Sequence, residues 1–301
     1  MIPGSPLHLL VALLTAPLLG GIIARIKAIA AGRHGAPLRQ PYFDLMRLAR
    51  KGEVRGKGTT ILFVAGPLVT LAGALLAIAL TPLGRFPALL SFPGDVIAAL
   101  SVLGLGRFFT IVAAMDTGSS FEGLGASREA FFSALAEPAT FIVFAALARA
   151  TGTVSLSGLL AGLPPAMWHS QAPALFLAAA ALLILLLAEN SRIPFDDPTT
   201  HLELTMIHEV MVLDHSGPGL ATVLYGAALK LWLFTSWLAA LLVPKTASPW
   251  IGTLWTVGTI LGVTVLVGIT ESTMARLRLL RVPQLLLSAA ALAAVAFLLV
   301  L

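Results

Sequence analysis

Long apolar runs alternate with short polar stretches along the whole chain. A run of about 20 mostly apolar residues is long enough to cross the roughly 30 Å hydrocarbon core of a bilayer as an α-helix. The pattern therefore predicts an all-α fold, a bundle of eight transmembrane helices that forms a single transmembrane domain over residues 1–301. The predicted spans are 6–29, 60–80, 96–115, 131–148, 173–188, 220–243, 251–270 and 282–301.

Polar residues first interrupt the apolar pattern at 25–58. After Pro41, apolar residues such as Met46 lie among Arg47 and Arg50, a mixture typical of an amphipathic helix in the plane of the membrane interface. A short interfacial helix is therefore predicted here. A solvated connector is the alternative interpretation.

The second interruption, 189–218, is acidic. It holds six of the chain's 14 acidic residues and three of its six histidines. These residues are Glu189, Asp196, Asp197, Glu203, Glu209 and Asp214, with His201, His208 and His215. Any chemistry or proton handling is expected to centre on this stretch.

A helix that restarts near Pro198 would place the three histidines on one face, because successive helical residues are about 100° apart. Glu203 would then fall in the middle of the opposite apolar face, which makes it a functional candidate; a structural ion pair with Arg192 is the alternative. Zinc is not expected, because Val212 stands four places after His208 and the H-E-x-x-H motif fails. Contact with a soluble partner or a proton relay explains the histidine face better.

Composition agrees with a membrane protein. Hydrophobic residues make up 58% of the chain and charged residues only 11%, against roughly 25% charged residues in soluble domains. The chain has no cysteine, which excludes disulfides, cysteine-ligated zinc and iron–sulfur clusters on it. No catalytic or metal-binding residue is predicted, since no P-loop, nucleophile elbow or Ser/His/Asp arrangement is present.

The net charge of +5 indicates membrane orientation rather than nucleic-acid binding, because the basic residues gather beside the spans. If successive loops alternate across the membrane, fourteen of the 19 basic residues lie on one side and Arg85, Arg149 and Lys245 on the other. Basic loops stay in the cytoplasm. Both termini are therefore expected on the outer, periplasmic side of the cell inner membrane, and both polar stretches in the cytoplasm.

The two polar stretches carry opposite charge, with a balance of +7 for 25–57 and −5 for 189–217. We expect them to pair into one cytoplasmic platform, directly or through a docked subunit. Arg47 and Arg50 facing Asp196 and Asp197 would make this pairing, and double charge reversal would test it.

Ionisable residues in the spans are candidates for an ion path, because a charge at mid-membrane costs about 2.5–3.5 kcal/mol on insertion scales and usually faces the bundle interior. The proton-pathway candidates are Glu122, Glu129, Glu137, Glu189, Glu203 and Lys230, with Arg107, Asp116 and Glu271 nearer the span ends. On one continuous helix, Glu122, Glu129 and Glu137 would lie within about 60° of one another and form a line of carboxylates. In the alternative, only Glu137 is embedded.

The acidic stretch also carries a family resemblance. The sequence AENSRIPFD at 188–196, with Pro198, Glu203 and the Ser216-Gly217 end, resembles the inner loop of respiratory complex I subunit 1, which in bacterial NADH-quinone oxidoreductase is the H subunit. The longer motif ENSRIPFDDPTTHLELTMIHEVMVLDHSG, together with GRFFTIVAAMDTGSSFEGLGASREAFFSALAEP at 106–138, is more similar to the membrane-anchor branch found in formate hydrogenlyase, hydrogenase-4 and energy-converting nickel–iron hydrogenases. The resemblance covers nearly the whole chain.

The resemblance implies a non-catalytic subunit of an oxidoreductase complex. Such a subunit docks the hydrogenase large and small subunits on the cytoplasmic face and connects them to antiporter-like membrane subunits and to proton or sodium translocation. The nickel–iron site and the iron–sulfur clusters are expected on those partners, and no cofactor on this chain. The residues expected in the cytoplasmic docking loop are Arg192, Asp196, Asp197, His201, His208, Glu209 and Asp214.

The match to complex I itself is incomplete. Glu189, Arg192, Asp196 and Glu203 fit its loop position by position, but His201 stands where complex I typically has a carboxylate. This departure argues against a quinone site. Two alternatives stay open: the quinone-chamber subunit of a complex I-like NADH or ferredoxin dehydrogenase, and a free-standing ion transporter.

Overall fold

The computed structural model describes residues 5–161, 163–196, 206–244 and 248–301. Within these ranges, eight helices are long and apolar enough to cross a membrane, so the chain is a multi-pass membrane protein. The spans are α1 (Leu7–Ala30), α3 (Ile61–Ala79), α4 (Asp95–Asp116), α5 (Ser120–Thr151), α7 (Pro165–Glu189), α8 (Gly217–Leu242), α9 (Pro249–Thr273) and α10 (Val282–Leu298). The other described elements are the helices α2 (Gln40–Ala49) and α6 (Leu156–Leu160) and the 3-10 helices Glu209–Val212 and Leu279–Arg281.

All eight predicted spans are confirmed, and two of them begin at least eight residues earlier than predicted. α5 begins at Ser120 rather than at residue 131, because the polar residues of its first turns are covered by protein; Glu122, for example, is fully buried. α7 begins at Pro165 rather than at residue 173, and its backbone leaves helical geometry only at Gln171 (φ −126°). An apolar pattern misses the part of a span in which polar side chains pair inside the protein.

α8 is the most buried of the spans. It packs against α1, α3 and α9, and its Trp232, Phe234 and Trp237 are almost completely buried. α3 packs against α4, and α10 against α5 and α7. Small residues permit close helix contact in a membrane: a Cβ atom at Gly66 of α3 would lie 2.7 Å from the Cβ atom of Ala113 in α4.

α2 lies in the basic stretch, where a short helix was predicted, and packs beside α1 and α8. The chain that leads into it turns back along α1, so that a Cβ atom at Gly21 would overlap the Leu38 carbonyl oxygen. The Tyr42 hydroxyl donates to the Leu14 carbonyl oxygen (2.5 Å). The position of α2 in the plane of the membrane interface stays a prediction.

One end of the bundle, which we name the motif face, collects the described residues 50–60, 117–119, 190–196, 206–216 and 274–281. The described part of the 190–216 loop is not a continuous α-helix, because only the 3-10 helix over 209–212 forms there. The predicted histidine face is therefore wrong for His208 and His215, while His201 lies outside the described residues. Backbone N–H groups just before the 3-10 helix donate to a side-chain carboxylate instead of to carbonyls one helical turn back.

The half of the bundle away from the motif face is tied together by buried hydrogen bonds. Trp232 Nε1–H donates to His8 Nε2 (3.1 Å), so His8 Nδ1 carries the proton donated to the Thr81 carbonyl oxygen (2.8 Å). The Thr81 hydroxyl accepts from Trp237 Nε1–H (3.1 Å). These contacts satisfy polar groups that have no water to bind inside a membrane, and they join α1, α8 and the end of α3.

Candidate functional site

A buried arginine on α4 gathers charged side chains from three other spans. Arg107 Nη1 lies 2.7 Å from Glu137 Oε1 and Nε lies 3.4 Å from Glu129 Oε1, both on α5. Arg107 Nη2 donates to Glu189 Oε2 at the end of α7. The same Glu189 oxygen lies 2.8 Å from the Lys230 ammonium of α8. We name these five residues the Arg107 network.

The network is covered and nearly balanced in charge. Only 7% of the Arg107 side chain and 5% of the Glu189 side chain are exposed. Charges removed from water must be paired to be stable, and two cations face three carboxylates here. The fully ionised network has a charge of −1, so one added proton or one bound cation neutralises it. The network can therefore accept a single positive charge without becoming cationic.

Glycines on α4 give the network its space. A Cβ atom at Gly104 would lie 3.3 Å from Glu137 Oε1. The Glu137 carboxylate therefore lies where a larger residue at position 104 would place its side chain. A Cβ atom at Gly106 would lie 3.1 Å from the Cα atom of Thr70 on α3. The Thr70 hydroxyl donates to the Gly106 carbonyl oxygen (2.9 Å). This close contact fixes α4 so that Arg107 reaches α5 and α7.

A cavity of about 90 Å³ lies between the Arg107 network and the loop of the motif face. On this measure a single water needs roughly 10–15 Å³ and several polar partners, so the cavity has room for a few water molecules. Its charged or strongly polar lining consists of Thr70, Arg107, Thr110, Glu129, Glu189, Asn190, Ser191, Arg192, His208, His215 and Lys230. The cavity thus joins the loop to the network through polar groups.

Two loop histidines form the part of the cavity wall that belongs to the motif face. Burial lowers the pKa of the His208 imidazole. Burial also lowers the pKa of His215, although the nearby carboxylates of Glu53 and Asp214 act in the opposite direction. Both rings are therefore neutral near pH 7. A neutral imidazole can take up and pass on a proton, so each ring offers an exchangeable position beside the cavity.

Asp196 fixes the fold of the loop. Its Oδ1 lies 2.9 Å from Arg276 Nη2, in the connection between α9 and α10. Its Oδ2 accepts the backbone N–H groups of Ile207 (3.0 Å) and His208 (3.1 Å). Only 2% of Asp196 is exposed, so this carboxylate organises the loop from inside.

A second buried carboxylate, Glu271 of α9, joins the loop to the spans. Its Oε2 lies 3.0 Å from the Lys27 ammonium of α1, and its Oε1 lies 3.4 Å from Arg192 Nη1. Arg192 thus has Glu271 as a described partner; Glu203, the partner considered from the sequence, lies outside the described residues. The ion pairs hold α1, α9 and the start of the loop together.

Glu122 of α5 binds the C-terminal end of the loop. This fully buried carboxylate accepts the Asp214 backbone N–H at Oε1 (3.0 Å). Helical spacing predicted that three carboxylates would form a line on α5. Two of them, Glu129 and Glu137, contact Arg107, whereas Glu122 contacts the loop. The line of carboxylates is therefore shorter than predicted, because Glu122 is used as an anchor.

The two polar stretches meet, but not through the charges expected. Ser216 Oγ accepts the Val54 N–H (2.9 Å) and donates to the Val54 carbonyl oxygen (3.1 Å). Arg47 pairs with Asp44 within α2 (3.0 Å), and Asp196 pairs with Arg276. Backbone contacts between the stretches thus replace the predicted pairing of Arg47 and Arg50 with Asp196, and Asp197 lies outside the described residues.

The structure brings most of the predicted site residues together. Glu129, Glu137, Glu189 and Lys230 share one network, and His208 lines the adjoining cavity. The loop residues Arg192, Asp196, Glu209 and Asp214 lie at the motif face, and Asp197, His201 and Glu203 are outside the described residues. Arg107 and Glu271 were noted from the sequence as ionisable residues near the span ends, but the sequence did not predict that each would pair with side chains of other spans.

Eight spans around a buried network of charged side chains, with a polar loop over it, define an integral membrane protein. The NADH dehydrogenase family model matches residues 5–301. The chain belongs to this family, which is that of complex I subunit 1, known in bacteria as the H subunit.

Among curated relatives, the chain is similar to hydrogenase-4 component C of Escherichia coli K12, with 32% identity over 77% of this chain and 72% of that protein. It is 31% identical to formate hydrogenlyase subunit 4 of the same organism, over 73% of this chain and 71% of that protein. It is 27% identical to the H subunit of NADH-quinone oxidoreductase from Bordetella pertussis, over 81% of this chain and 70% of that protein. The chain is thus homologous to subunits of hydrogenase-related and complex I-like membrane complexes.

The fold is also found in a solved structure of the membrane-bound sulfane sulfur reductase, an archaeal respiratory membrane complex. One of its chains matches with a TM-score of 0.82 and 20% identity, over 98% of this chain and 97% of that chain. At this identity the match shows a shared fold.

Proposed function

We propose that this chain is the docking and ion-pathway subunit of an energy-converting hydrogenase complex of the formate hydrogenlyase or hydrogenase-4 type. The observation that carries the proposal is the Arg107 network under the loop of the motif face. A network that accepts one positive charge, joined to the loop by a polar cavity, suits a path for protons or sodium ions. The similarity to hydrogenase-4 component C and formate hydrogenlyase subunit 4 supports the hydrogenase branch.

In this proposal the motif face is cytoplasmic and docks the hydrogenase large and small subunits. Its loop presents exposed Leu213 and Asp214, and the neighbouring basic stretch presents exposed Val54 and Arg55. Mixed apolar and charged surface of this kind suits a protein partner. The nickel–iron site and the iron–sulfur clusters belong to that partner, and antiporter-like subunits adjoin the chain within the membrane.

Each residue of the path then has a role. His208 and His215 exchange protons beside the cavity. Glu189, which contacts both Arg107 and Lys230, receives the added proton or cation. Arg107 holds the carboxylates of Glu129, Glu137 and Glu189 close to one another. Glu129 and Glu137 extend the path along α5.

A quinone-chamber function is supported less well. A cavity of about 90 Å³ is small beside the roughly 300–1,000 Å³ of sites for organic ligands. Two curated relatives above 30% identity are named for hydrogenase-4 and formate hydrogenlyase. A free-standing transporter has no support from these relatives, which are named as components or subunits.

The proposal is tested by purifying the tagged chain from its native membrane in mild detergent. We expect a large subunit containing nickel to co-purify with it, and the preparation to evolve hydrogen from a reduced artificial donor. Turnover that requires added quinone would instead favour the complex I-like function. Purification of the chain alone, with ion transport intact after reconstitution, would favour the transporter. The genes adjacent to this one provide an independent check, because a nickel-binding large subunit should be encoded there.

A further inference from the structure

An apolar groove opens on the side of the bundle, in the half away from the motif face. Its volume is about 670 Å³. The start of α4, the second half of α5 and one residue of α10 form its wall, which includes Val96, Leu100, Phe141, Ala148 and Phe297. We name this surface the lateral groove. An apolar surface of this size marks a place where another molecule binds.

The length of the groove matches one leaflet of a bilayer. Along α5 it extends from Phe141 to Gly152, which is roughly 16–17 Å at the rise of an α-helix. The hydrocarbon core of a bilayer is about 30 Å thick, so the chains of one leaflet occupy about 15 Å. Because α5 ends at Thr151, one end of the groove lies near the membrane surface and the other near the bilayer centre.

Small residues on α5 keep the groove open. Ala145, Ala148 and Gly152 line it and lie three and four residues apart, so they share one face of the helix. A Cβ atom at Gly152 would have nothing within 4 Å. Small residues also allow a second helix to approach. A membrane-spanning helix of a partner is therefore the competing occupant, and the position of charge in the groove decides between them.

One charged side chain lines the groove, and it lies at the surface end. Arg149 belongs to the last turn of α5 and is exposed. Within the described part of the chain, its guanidinium has no hydrogen bond or ion pair. A guanidinium can donate to two phosphate oxygens at once, and basic pockets between spans bind lipid headgroups. The groove thus offers a phosphate partner at the membrane surface and apolar surface below it, which is the order of groups in a phospholipid.

We propose that the lateral groove binds one phospholipid of the leaflet away from the motif face, with its phosphate on Arg149 and an acyl chain along α5. A headgroup with a net negative charge, such as that of phosphatidylglycerol, is favoured, because it neutralises the guanidinium. The groove ends at Phe141, one helical turn after Glu137, and Glu137 does not line it. The lipid site is therefore separate from the proposed ion path, and each can fail without the other.

The probe is phosphatidylglycerol with a photoreactive diazirine near the end of one acyl chain, incorporated into vesicles that contain the assembled complex. After irradiation, the labelled peptides are quantified by mass spectrometry. Phosphatidylcholine with the same photoreactive chain is the headgroup control. Leu261 of α9 is the control position, because its exposure (36%) is close to that of Phe141 (39%). The two residues also lie at similar depth, 12 and 10 residues from the ends of their helices in the same half of the bundle.

Two substitutions test the groove itself. Arg149→Gln removes the phosphate partner, and Ala145→Phe fills the space for the chain. Either one suffices if the other does not assemble. Arg281→Gln removes an exposed arginine at the opposite end of the bundle and is the matched control.

We expect phosphatidylglycerol to label peptides around Phe141 several-fold more than peptides around Leu261, and more than phosphatidylcholine does. Arg149→Gln and Ala145→Phe should each reduce this labelling several-fold, whereas Arg281→Gln should leave it unchanged. Equal labelling at the two positions, equal labelling by the two headgroups, or labelling that the groove variants do not reduce would overturn the proposal. A groove that takes no label because a partner's helix covers it would also overturn it.

Discussion

Arg107 holds three carboxylates close together inside the bundle. A guanidinium suits this position, because its planar donors reach several acceptors at once and it stays protonated when buried. The ammonium group of Lys230 on α8 is a single point of charge, and it contacts only Glu189 of the network. The arginine thus allows carboxylates from α5 and α7 to share one site without strong repulsion.

Replacing Arg107 by Met leaves Glu129, Glu137 and Glu189 with one cation, Lys230. Removing one charged partner from a buried ion pair lowers the free energy of unfolding by about 3–5 kcal/mol. We expect a clear fall in the thermal unfolding temperature of the detergent-purified complex at pH 7.

The control is Arg33→Met, which removes an exposed arginine of the basic stretch. It should leave the unfolding temperature almost unchanged. Equal effects of the two substitutions would mean that the Arg107 network does not stabilise the bundle.

His215 gives the motif face a dependence on pH. Burial lowers its pKa below the ordinary value of 6.5, so the unfolded chain binds the proton more tightly than the folded chain. Stability is therefore complete above about pH 6.5 and decreases as the pH falls through that value. We expect His215→Asn to flatten this part of the stability profile, measured as unfolding temperature between pH 7.5 and pH 5.

His34→Asn, in an exposed loop, is the control and should keep the profile of the unchanged protein. If His215→Asn follows the same profile, the buried imidazole does not titrate on unfolding.

α5 is the element on which the site depends most. Its first turns anchor the loop through Glu122, and its middle supplies Glu129 and Glu137 to Arg107. The loop packs directly on the helix at Gly125, where a Cβ atom would overlap Val210 Cγ1 and lie 2.9 Å from the Ile207 carbonyl oxygen. A small residue is required there.

Gly125→Ala is expected to push the loop off α5. Overpacking of this kind costs about 1–3 kcal/mol, and the loop should become more open to proteolysis and hydrogen exchange over residues 206–216. Gly123 offers a matched control on the same helix, since a Cβ atom there has nothing within 4 Å. Gly123→Ala should be neutral or should stabilise by up to about 1 kcal/mol. Equal hydrogen exchange in the two variants would contradict the packing described.

The elements were predictable to different degrees. Hydrophobic runs located all eight spans, because length and hydropathy alone decide which segments cross a bilayer. The 3-10 helix at 209–212 was missed, since Asp196 and Glu122 bind the loop backbone through contacts that no local pattern contains. The central role of Arg107 was missed for the same reason: its partner Glu189 is 82 residues away in the chain.

On the scale of the whole molecule, the described ion pairs of buried side chains lie in the half of the bundle next to the motif face. The motif face, the cavity and the Arg107 network follow one another. The opposite half is joined by the hydrogen bonds of His8, Thr81 and Trp232 and by the buried Asp95 carboxylate, which accepts the Leu156 backbone N–H (2.5 Å). The proposed ion path therefore belongs to the half next to the motif face.

The orientation of the molecule in the membrane is a prediction from the uneven distribution of basic residues. We expect Gly52→Cys on the motif face to react with a membrane-impermeant maleimide only in inverted vesicles. Ser91→Cys, between α3 and α4 at the opposite end, should react only in right-side-out vesicles. The reverse pattern would place the motif face outside the cell and would contradict cytoplasmic docking.

Ion uptake by sealed inverted vesicles tests the central claim most directly. Vesicles containing the complex with Glu189→Gln, which weakens the link between Arg107 and Lys230, are compared with vesicles containing Asp44→Asn on the exposed α2. Uptake of protons or of sodium is recorded during hydrogen evolution, at equal amounts of assembled complex. The account predicts that Asp44→Asn retains uptake and that Glu189→Gln loses most of it per hydrogen formed. Equal uptake per hydrogen in the two variants would contradict an ion path through the Arg107 network.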